Sequence, residues 1–435
     1  MNKKEIDEAA SLKRASMAAM VGTTIEWYDY FIFGTASALV FHKVFFSSLS
    51  PALATIASFA TFAVGFLARF FGAIFFGNIG DRVGRKKTLV ITLMMMAVST
   101  VGVGVLPSYE TIGIAAPIIL TLLRVIQGIA VAGEWGGAVL IAAEKAPPKE
   151  RIWYGAFAQH GVPLGIILSS AVFALVTRMP DDVFFDWGWR IPFLLSGVLV
   201  FVAYIIRSRV EETTEFVEAR DQKKLSKTPV VELFRSYWPL VLLMIGANAI
   251  AVSGTHFRTT YLLSWAKAHT ALAMPSLLQV SIVAAVFTLV SQLVMARMSM
   301  YVPTKKLLVT VLIVYALTPF PMFWLLATNN IYLAAIGIIV SSMCGGAYYA
   351  LLAGYSSHMF PMAVRYSGIS MGYQAAGAIF GSVTPLLSTV LSESQGGAYW
   401  PVASLFAGYC IISLVSLFGV WAYQRRSSGT QSAFA

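Results

Sequence analysis

Long apolar runs alternate with short polar stretches along the whole chain. A helix that crosses the hydrocarbon core of a bilayer needs about 20 mostly apolar residues, and the chain contains twelve runs of roughly this length. We therefore predict an all-α polytopic membrane protein with twelve transmembrane helices. The predicted ranges are 19–41, 52–78, 88–106, 112–140, 154–177, 188–206, 236–262, 275–298, 307–327, 330–356, 367–390 and 399–423.

The longest polar stretch between two predicted helices divides the twelve helices into two sets of six. Composition changes sharply there, which is typical of a linker between two halves. The predicted division is a cytoplasmic tail at 1–18, an N-terminal six-helix bundle at 19–206, a cytoplasmic linker at 207–235, a C-terminal six-helix bundle at 236–423 and a second cytoplasmic tail at 424–435.

A faint internal repeat also indicates two related halves. Residues at matching offsets precede the fifth and the eleventh helix: Glu144, Pro147 and Arg151 in one half, and His358, Pro361 and Arg365 in the other. Polar residues in helices one, four, seven and ten cannot be satisfied by lipid. We expect two pseudo-symmetric bundles around a central cavity lined by helices one, four, seven and ten.

Composition and charge fit a membrane protein. The 435 residues are 58% hydrophobic and 12% charged, which is too apolar for a soluble domain. Most of the 31 lysines and arginines fall on the side of the two termini, so the positive-inside rule places both termini in the cytoplasm. This orientation explains the net charge of +11 without a nucleic-acid partner.

We expect no removable signal peptide. The two cysteines lie in apolar helices and indicate neither a disulfide nor a metal site.

The fourth helix carries charged residues inside an otherwise apolar run. An ion at mid-bilayer depth costs about 3 kcal/mol or more, so Arg124 and Glu134 are unusual there. Steps of three and four residues place Arg124, Gln127 and Glu134 on roughly one side of the helix. Arg124 with Gln127 suits a carboxylate, which it would hold by a bidentate pair and a hydrogen bond. Gly128 and Gly133 allow close approach of a neighbouring helix.

Two acidic residues in the first helix are candidates for proton coupling. Glu26 and Asp29 are three positions apart and share one helix face. Two such carboxylates cannot both stay ionised in a low dielectric, so we expect one of them to hold a proton. In the alternative, Glu26 is structural and pairs with a neighbouring helix. Glu134, nearer the cytoplasmic end, is a weaker candidate that suits a release step or a structural bond.

Further polar residues in the helices are candidates for substrate binding. Each has a structural alternative: a histidine can be a core residue bonded to a backbone carbonyl, and a tyrosine can be an interface anchor. Arg258, near the outer end of the seventh helix, can extend to the lipid headgroups instead of facing a cavity. The candidates besides Arg124 and Gln127 are Tyr30, Gln159, His160, Asn248, His256, Tyr373 and Gln374.

The loop after the second helix resembles the signature loop of the major facilitator superfamily. It reads GDRVGRKK from Gly80 to Lys87, and its glycines suit a sharp turn. The fourth helix contains the Arg-x-x-Gln-Gly of that superfamily, and the turn from Glu144 to Arg151 is similar to its charged turn. The resemblance implies a cytoplasmic gate that stabilises an outward-facing state. Its candidate residues are Asp81, Arg82, Arg85, Glu144, Arg151 and Arg365.

Other segments narrow the resemblance to one family. EWYDYFIFG, AGEWGGA and WGWRIPF, together with the RYSG and GYQ of the eleventh helix, resemble the metabolite:proton symporter family, which includes shikimate, α-ketoglutarate and proline/betaine permeases. The resemblance implies a bacterial inner-membrane symporter that imports a small organic acid such as shikimate with protons. The second half departs from the family pattern: its corresponding loop reads ARMSMYVPTKK, and His358 stands where an acid is expected.

Three classes of function remain to be compared. A proton-coupled symporter of an organic anion is the leading hypothesis, with a zwitterion such as proline or betaine as the alternative substrate, because aromatic residues can hold a quaternary ammonium. An uncoupled facilitator would need no titrating acid. A membrane enzyme or ATP-driven pump is disfavoured, since the chain has no phosphate-binding G-x-x-x-x-G-K-[ST] loop and no metal-ligand spacing. We expect no cofactor or metal, a bilayer-embedded monomer, and a small anion and protons as ligands.

Overall fold

The computed structural model describes residues 3–208, 210–222 and 228–432, and these residues form helices and connecting turns without a strand. Twelve long helices are present in these ranges, here numbered α1 to α12 in chain order. Eleven of them, from α2 onward, are long and apolar enough to cross a membrane. α1 is less apolar because Glu26 and Asp29 lie in its middle. The predicted fold class is confirmed.

The chain divides into two compact units. The first comprises Met1–Ala146 and Phe157–Lys227, and the second comprises Pro147–Ala156 and Thr228–Ala435. The short segment 147–156 thus groups with the second unit, which the predicted boundaries did not foresee. The predicted linker includes residues 209 and 223–227, and the predicted tails include 1–2 and 433–435, which lie outside the described residues.

The first unit contains α1 to α6. In this unit α1 packs along α5, and α2 packs along α4. Shorter helices connect or extend the long ones. They are Phe41–Val44, Tyr109–Ile112, Asp181–Asp186, Gly188–Arg190 and Thr214–Asp221. The long helices are α1 Lys3–Leu39, α2 Pro51–Val83, α3 Arg85–Val105, α4 Ala115–Ala143, α5 Phe157–Val176 and α6 Ile191–Ser208.

The second unit contains α7 to α12. α7 packs along α11, and α8 packs along α10, so the first helix pairs with the fifth and the second with the fourth in both units. α7 and α11 each contain a π-helical turn, at Phe257–Tyr261 and Gly377–Gly381. The segments are α7 Trp238–Ala247, Ala249–His256, Phe257–Tyr261 and Leu262–His269; α8 Met274–Met298; α9 Thr304–Leu317 and Pro319–Ala327; α10 Ile331–Ser356; α11 Arg365–Ala376, Gly377–Gly381 and Thr384–Glu393; and α12 Trp400–Ser432.

Several helices are longer than the apolar runs that predicted them. α1 begins at Lys3, inside the predicted tail, and α12 continues to Ser432. α6 continues to Ser208, so Arg207 belongs to a membrane-spanning helix and not to the linker. Apolar runs mark only the part of a helix that lies in hydrocarbon, whereas backbone hydrogen bonding extends a helix into the polar flanks.

Small residues allow α2 and α4 to pack at close range. A side chain at Gly128 would collide with the carbonyl group of Gly65, and one at Gly72 would collide with the backbone of Ile129. Close backbone approach through small residues is the usual packing of helices in membranes, where lipid removes the hydrophobic drive for association. The polar side chains of α4 are therefore held in a defined position beside α2.

The WGWRIPF segment closes one end of the first unit. Nη1 of Arg190 donates hydrogen bonds to the carbonyl oxygens of Gly104 (2.9 Å) and Leu106 (2.7 Å) at the end of α3. Trp189 packs edge-on against Phe45 and Phe193 in a buried aromatic cluster. The arginine thus satisfies carbonyl groups that a helix leaves unpaired at its C-terminus, and the segment stabilises the bundle.

Candidate functional site

Asp29 lies buried between three helices of the first unit. Its Oδ1 accepts a hydrogen bond from Oγ of Ser196 in α6 (2.5 Å), and its Oδ2 accepts one from Oγ1 of Thr100 in α3 (2.8 Å). Both donors are hydroxyl groups, which can also accept a hydrogen bond when they rotate. Asp29 therefore sits in surroundings that can accommodate either its ionised or its protonated form.

Arg124 lies buried in α4 and is linked to Asp29 through two neutral side chains. Nη1 of Arg124 donates to Oε1 of Gln127 (2.5 Å), and Nε2 of Gln127 donates to Oγ1 of Thr100 (2.8 Å). Thr100 in turn donates to Asp29. Every bond in this chain runs in the same direction, from the guanidinium to the carboxylate. We call Arg124, Gln127, Thr100 and Asp29 the relay.

Glu26 occupies different surroundings from Asp29, although both were predicted to lie on one helix face. Glu26 is buried, and its Oε2 has no hydrogen-bond partner among the described residues. Its electrostatic neighbours include Arg69, Glu134 and Arg207, besides Asp29. A buried carboxylate oxygen without a donor is costly when the group is ionised. The two acids therefore differ in how the protein solvates them.

Aromatic rings and two guanidinium groups form a cluster beside the relay. The guanidinium of Arg124 lies 4.3 Å from the ring centroid of Phe33 and 4.8 Å from that of Phe62. Arg69 lies 5.4 Å from the ring centroid of Tyr30 and 5.0 Å from that of Phe66. In the described part of the chain, neither arginine has a carboxylate at ion-pair distance. We call these two arginines and four rings the arginine-aromatic cluster. Its rings therefore already face cations.

Glu134 forms a buried ion pair that the sequence did not reveal. Nη1 of Arg207 in α6 donates to Oε2 of Glu134 (3.0 Å), Nη2 bonds to Oε1, and Thr92 in α3 donates to Oε2 (3.1 Å). Arg207 also donates to the carbonyl oxygen of Leu89 (3.0 Å). This bidentate pair occupies both carboxylate oxygens of Glu134. The geometry favours the structural alternative for Glu134.

The loop between α2 and α3 brings three of the predicted gate residues together. Arg85 contacts Asp81 (3.3 Å) and Glu144 (3.6 Å), and its Nη1 donates to the carbonyl oxygen of Gly80 (2.8 Å). Gly84 lies between them with φ of +119°, a conformation that side-chain-bearing residues rarely adopt. All three charged groups are buried. The loop therefore fixes a charged cluster at the end of α4.

Residues after α6 complete this cluster. Thr213 donates to Oε2 of Glu144 (2.6 Å), and the Phe216 ring centroid lies 5.0 Å from the Arg85 guanidinium. Oε2 of Glu212 accepts from the backbone N–H of Lys86 (3.1 Å). The segment after α6 is thereby docked on the loop between α2 and α3, and the two form one structure that we call the loop cluster.

The remaining predicted gate residues are Arg82, Arg151 and Arg365. Arg82 is exposed. Arg151 and Arg365 belong to the second unit, where Nε of Arg365 donates to the carbonyl oxygen of Phe360 (3.2 Å). The pairing predicted between Arg151 and the loop cluster stays a prediction. His358, which replaces the expected acid, accepts a hydrogen bond at its carbonyl oxygen from Gln424 (2.7 Å).

The other predicted substrate-binding residues are divided between the two units. In the first, Gln159 is fully buried and neither amide atom has a hydrogen-bond partner in the described ranges, while His160 packs against Phe157 with 5.3 Å between ring centroids. Buried polar atoms without partners are rare in folded proteins and mark places where a water or ligand fits. Gln159 thus stays a strong candidate for substrate contact.

The second unit holds the other four candidates, on α7 and α11. Nδ2 of Asn248 donates to the carbonyl oxygen of Met244 (2.9 Å), which leaves Oδ1 without a partner in the described residues. Tyr373 is hydrogen-bonded to Tyr349 of α10. Nε2 of Gln374 likewise lacks an acceptor within the described chain, and His256 lies close to Gly381 of α11.

Sequence reasoning missed the uncharged members of these networks. Serines and threonines are common in membrane helices, where most of them bond to their own backbone, so nothing in the sequence distinguished Thr100 and Ser196 from the rest. Arg207 was assigned to the linker because it follows an apolar run. The Glu212, Thr213 and Phe216 contacts depend on how the chain folds back after α6.

Two units of paired apolar helices, with charged and hydrogen-bonded side chains inside them, define a multi-pass membrane transporter, and such proteins are not enzymes. The chain belongs to the Major Facilitator Superfamily, whose pattern matches residues 19–382. This confirms the resemblance inferred from the sequence motifs.

Individual relatives support the same assignment. The chain is 33% identical to the shikimate transporter of Escherichia coli (strain K12) over 408 residues, covering 93% of each chain. It is 31% identical to the proline/betaine transporter of the same organism over 423 residues, covering 95% of this chain and 83% of that one. The solved proton:xylose symporter XylE superposes with a TM-score of 0.79 over 94% of this chain and 96% of its own, at 15% identity, which shows a shared fold.

Proposed function

We propose that this transporter is a proton-coupled symporter that imports a small organic acid, such as shikimate or a related carboxylate, by alternating access. We place it in the bacterial inner membrane as a monomer, with both termini in the cytoplasm. The proposal rests on one observation: the relay connects a buried carboxylate, Asp29, to a buried guanidinium without a carboxylate partner, Arg124. The Asp29 end of the relay suits a proton, and the Arg124 end suits an anion.

The relay offers a physical route from proton binding to anion binding. A hydroxyl group has one hydrogen, so Thr100 accepts from Gln127 while it donates to ionised Asp29. If Asp29 takes a proton on Oδ2, it donates to Thr100, whose own hydrogen is then free to turn toward Gln127. The amide of Gln127 has to flip to offer its oxygen, and its NH₂ group then faces Arg124. Two donors repel, so Nη1 of Arg124 loses its bond to Gln127 and becomes available to a carboxylate.

This series of hydrogen-bond changes couples the proton to the carboxylate. Each ligand raises the affinity of the protein for the other, as symport requires. One proton and one carboxylate anion together carry no net charge, so the pH difference across the membrane drives this import. Glu26 can serve as an additional proton carrier, since its unpaired oxygen favours the neutral form. Glu134, which is already bonded to Arg207, is given a structural role in this proposal.

The arginine-aromatic cluster favours an organic anion over a zwitterion. A betaine would be held by open aromatic faces through its quaternary ammonium group. The faces of Phe33, Phe62, Phe66 and Tyr30 instead lie against guanidinium groups, and a second cation there would be repelled.

Proteoliposomes with an alkaline interior test the function. We expect radiolabelled shikimate to accumulate above its external concentration and to leak out when a protonophore collapses the gradient. Asp29→Asn should abolish accumulation and retain counterflow. The control variant Asp186→Asn, which replaces an exposed acidic residue, should behave as wild type. Equal shikimate concentrations inside and outside, with and without a pH gradient, would identify an uncoupled facilitator. Accumulation of betaine but not of shikimate would identify a zwitterion carrier.

A further inference from the structure

Arg258 places a guanidinium group inside the second unit. It lies in the π-helical turn of α7, and its Nη1 donates to the hydroxyl oxygen of Tyr315 in α9. Two glycines make room for it. A Cβ atom at Gly345 of α10 would lie 2.9 Å from Nη1 and 3.0 Å from Nη2, and one at Gly254 would lie 3.4 Å from Nη1. π-helical turns are rare and occur frequently at functional sites.

The guanidinium lies in the middle of the membrane-spanning part of the unit. Gly345, which it contacts, lies 14 residues after the start of α10 at Ile331 and 11 residues before its end at Ser356. The alternative that Arg258 extends outward to the lipid headgroups does not fit this position, because the side chain reaches inward from the outer third of α7. A cation held at such depth is expensive and is a functional candidate by default.

Arg258 has no carboxylate partner among the described residues. In the described part of the second unit, no acidic side chain lies at ion-pair distance from Arg258, and its only hydrogen bond is the one to Tyr315. Nε and Nη2 thus keep their hydrogens for another acceptor. Arg258 is partly exposed, and Thr255 and Thr259 flank it on α7 with Thr259 exposed. The Arg258 side chain is therefore not fully enclosed by the protein.

The first helices of the two units carry opposite charges, and each charge is bonded to a hydroxyl group on the third helix of its unit. In the first unit, the first helix contributes an anion, Asp29, which accepts from the hydroxyl of Thr100 on the third helix. In the second unit, the first helix contributes a cation, Arg258, which donates to the hydroxyl of Tyr315 on the third helix. The anion of the first unit has its donors within the protein. Within the described residues, Arg258 of the second unit has donors left over and no anion.

We propose that Arg258 and Tyr315 form an anion-binding site in the second unit that takes a carboxylate group. The hydroxyl oxygen of Tyr315 accepts from Arg258, so its hydrogen is free to be donated to the same anion. Guanidinium and phenol together present several donors to one carboxylate, a strong arrangement in a low dielectric. The site rests on the organic-acid part of the proposed function, and it needs neither Arg124 nor proton coupling.

Binding of shikimate to the purified full-length protein, followed by thermal shift and by tryptophan fluorescence, tests the site. We expect Arg258→Gln to weaken binding at least tenfold, Arg258→Lys to weaken it less, and Tyr315→Phe to weaken it several-fold. Arg297→Gln, which removes an exposed arginine, is the matched control and should bind as wild type. A dissociation constant within twofold of wild type in Arg258→Gln, with binding abolished in Arg124→Gln, would overturn the proposal.

A second measurement does not depend on the identity of the substrate. Cys344 is partly exposed on α10 and within electrostatic range of Arg258, so its reaction with small charged methanethiosulfonates reports the local potential. In a Cys410→Ser background, we expect the sulfonate reagent to react faster than the trimethylammonium reagent, and Arg258→Gln to remove this preference. An unchanged ratio, or no reaction with the anionic reagent, would show that anions do not reach the site. Either result is independent of whether protons drive transport.

Discussion

Single hydroxyl groups decide how the charges of the first unit communicate. Thr100 is the only link between Asp29 and Gln127 in the relay, and it is both donor and acceptor. Ser196 bonds the other carboxylate oxygen and has no such connection to Arg124 within the relay. Protonation at Oδ2 therefore reverses the relay, and protonation at Oδ1 leaves its direction unchanged.

Replacing Thr100 tests this distinction. Thr100→Val keeps the shape and removes the hydroxyl, so we expect shikimate counterflow to continue while accumulation driven by a pH gradient falls at least fivefold. Thr100→Ser, which keeps the hydroxyl, should retain accumulation. The loss of hydrogen bonds should also lower stability by about 1 to 3 kcal/mol. Full accumulation in Thr100→Val would show that coupling does not pass through the relay.

Helix pairing within the first unit depends on a second charged contact. The Glu134 and Arg207 pair joins α4 to α6, and the Thr92 and Leu89 bonds join both to α3. Gly22 of α1 lies against the same pair, since a side chain there would collide with the Arg207 guanidinium. Four helices thus meet at one ion pair.

Removing one partner of this pair should destabilise the protein strongly. Arg207→Ala leaves Glu134 buried without its cation, and breaking a buried pair costs about 3 to 5 kcal/mol. The exposed pair of Arg220 and Asp221 is the control, because surface pairs contribute about 0 to 1 kcal/mol. Thermal unfolding in detergent should therefore show a clear loss for Arg207→Ala and little change for Arg220→Ala. Similar melting temperatures for both would contradict this role.

At the scale of the whole molecule, transport requires a change between outward-facing and inward-facing states. The loop cluster joins the loop between α2 and α3 to the end of α4 and to the segment after α6. We propose that it stabilises the outward-facing state and must separate in each transport cycle. The strength of the loop cluster should therefore set how readily the states exchange.

Weakening the loop cluster should change transport without changing binding. Asp81→Asn removes the charge that holds Arg85 beside Glu144, and we expect the rate of shikimate transport to fall several-fold. Its dissociation constant should stay within about twofold, because Asp81 lies outside the relay and the arginine-aromatic cluster. Val83→Ala, a change at the exposed last residue of α2, is the control. Lost binding with a normal transport cycle would assign Asp81 a different role.

The sequence by itself determined the class of the protein. Twelve apolar runs, the charge distribution and the loop motifs are local features, and membrane insertion depends on such local features because backbone groups in lipid must bond within their own helix. Helical periodicity also grouped Arg124 with Gln127 correctly, since residues three positions apart on one helix are neighbours regardless of the rest of the fold.

Only the tertiary structure decided which polar groups on different helices meet. Asp29 bonds Ser196 across 167 positions, and Glu134 bonds Arg207 across 73. Periodicity shows which side of a helix is polar, but not which helix faces it, because that choice depends on packing through small residues and on the depth of each side chain. Glu26 and Asp29 appeared equivalent in the sequence for this reason, and the donors supplied by α3 and α6 distinguish them.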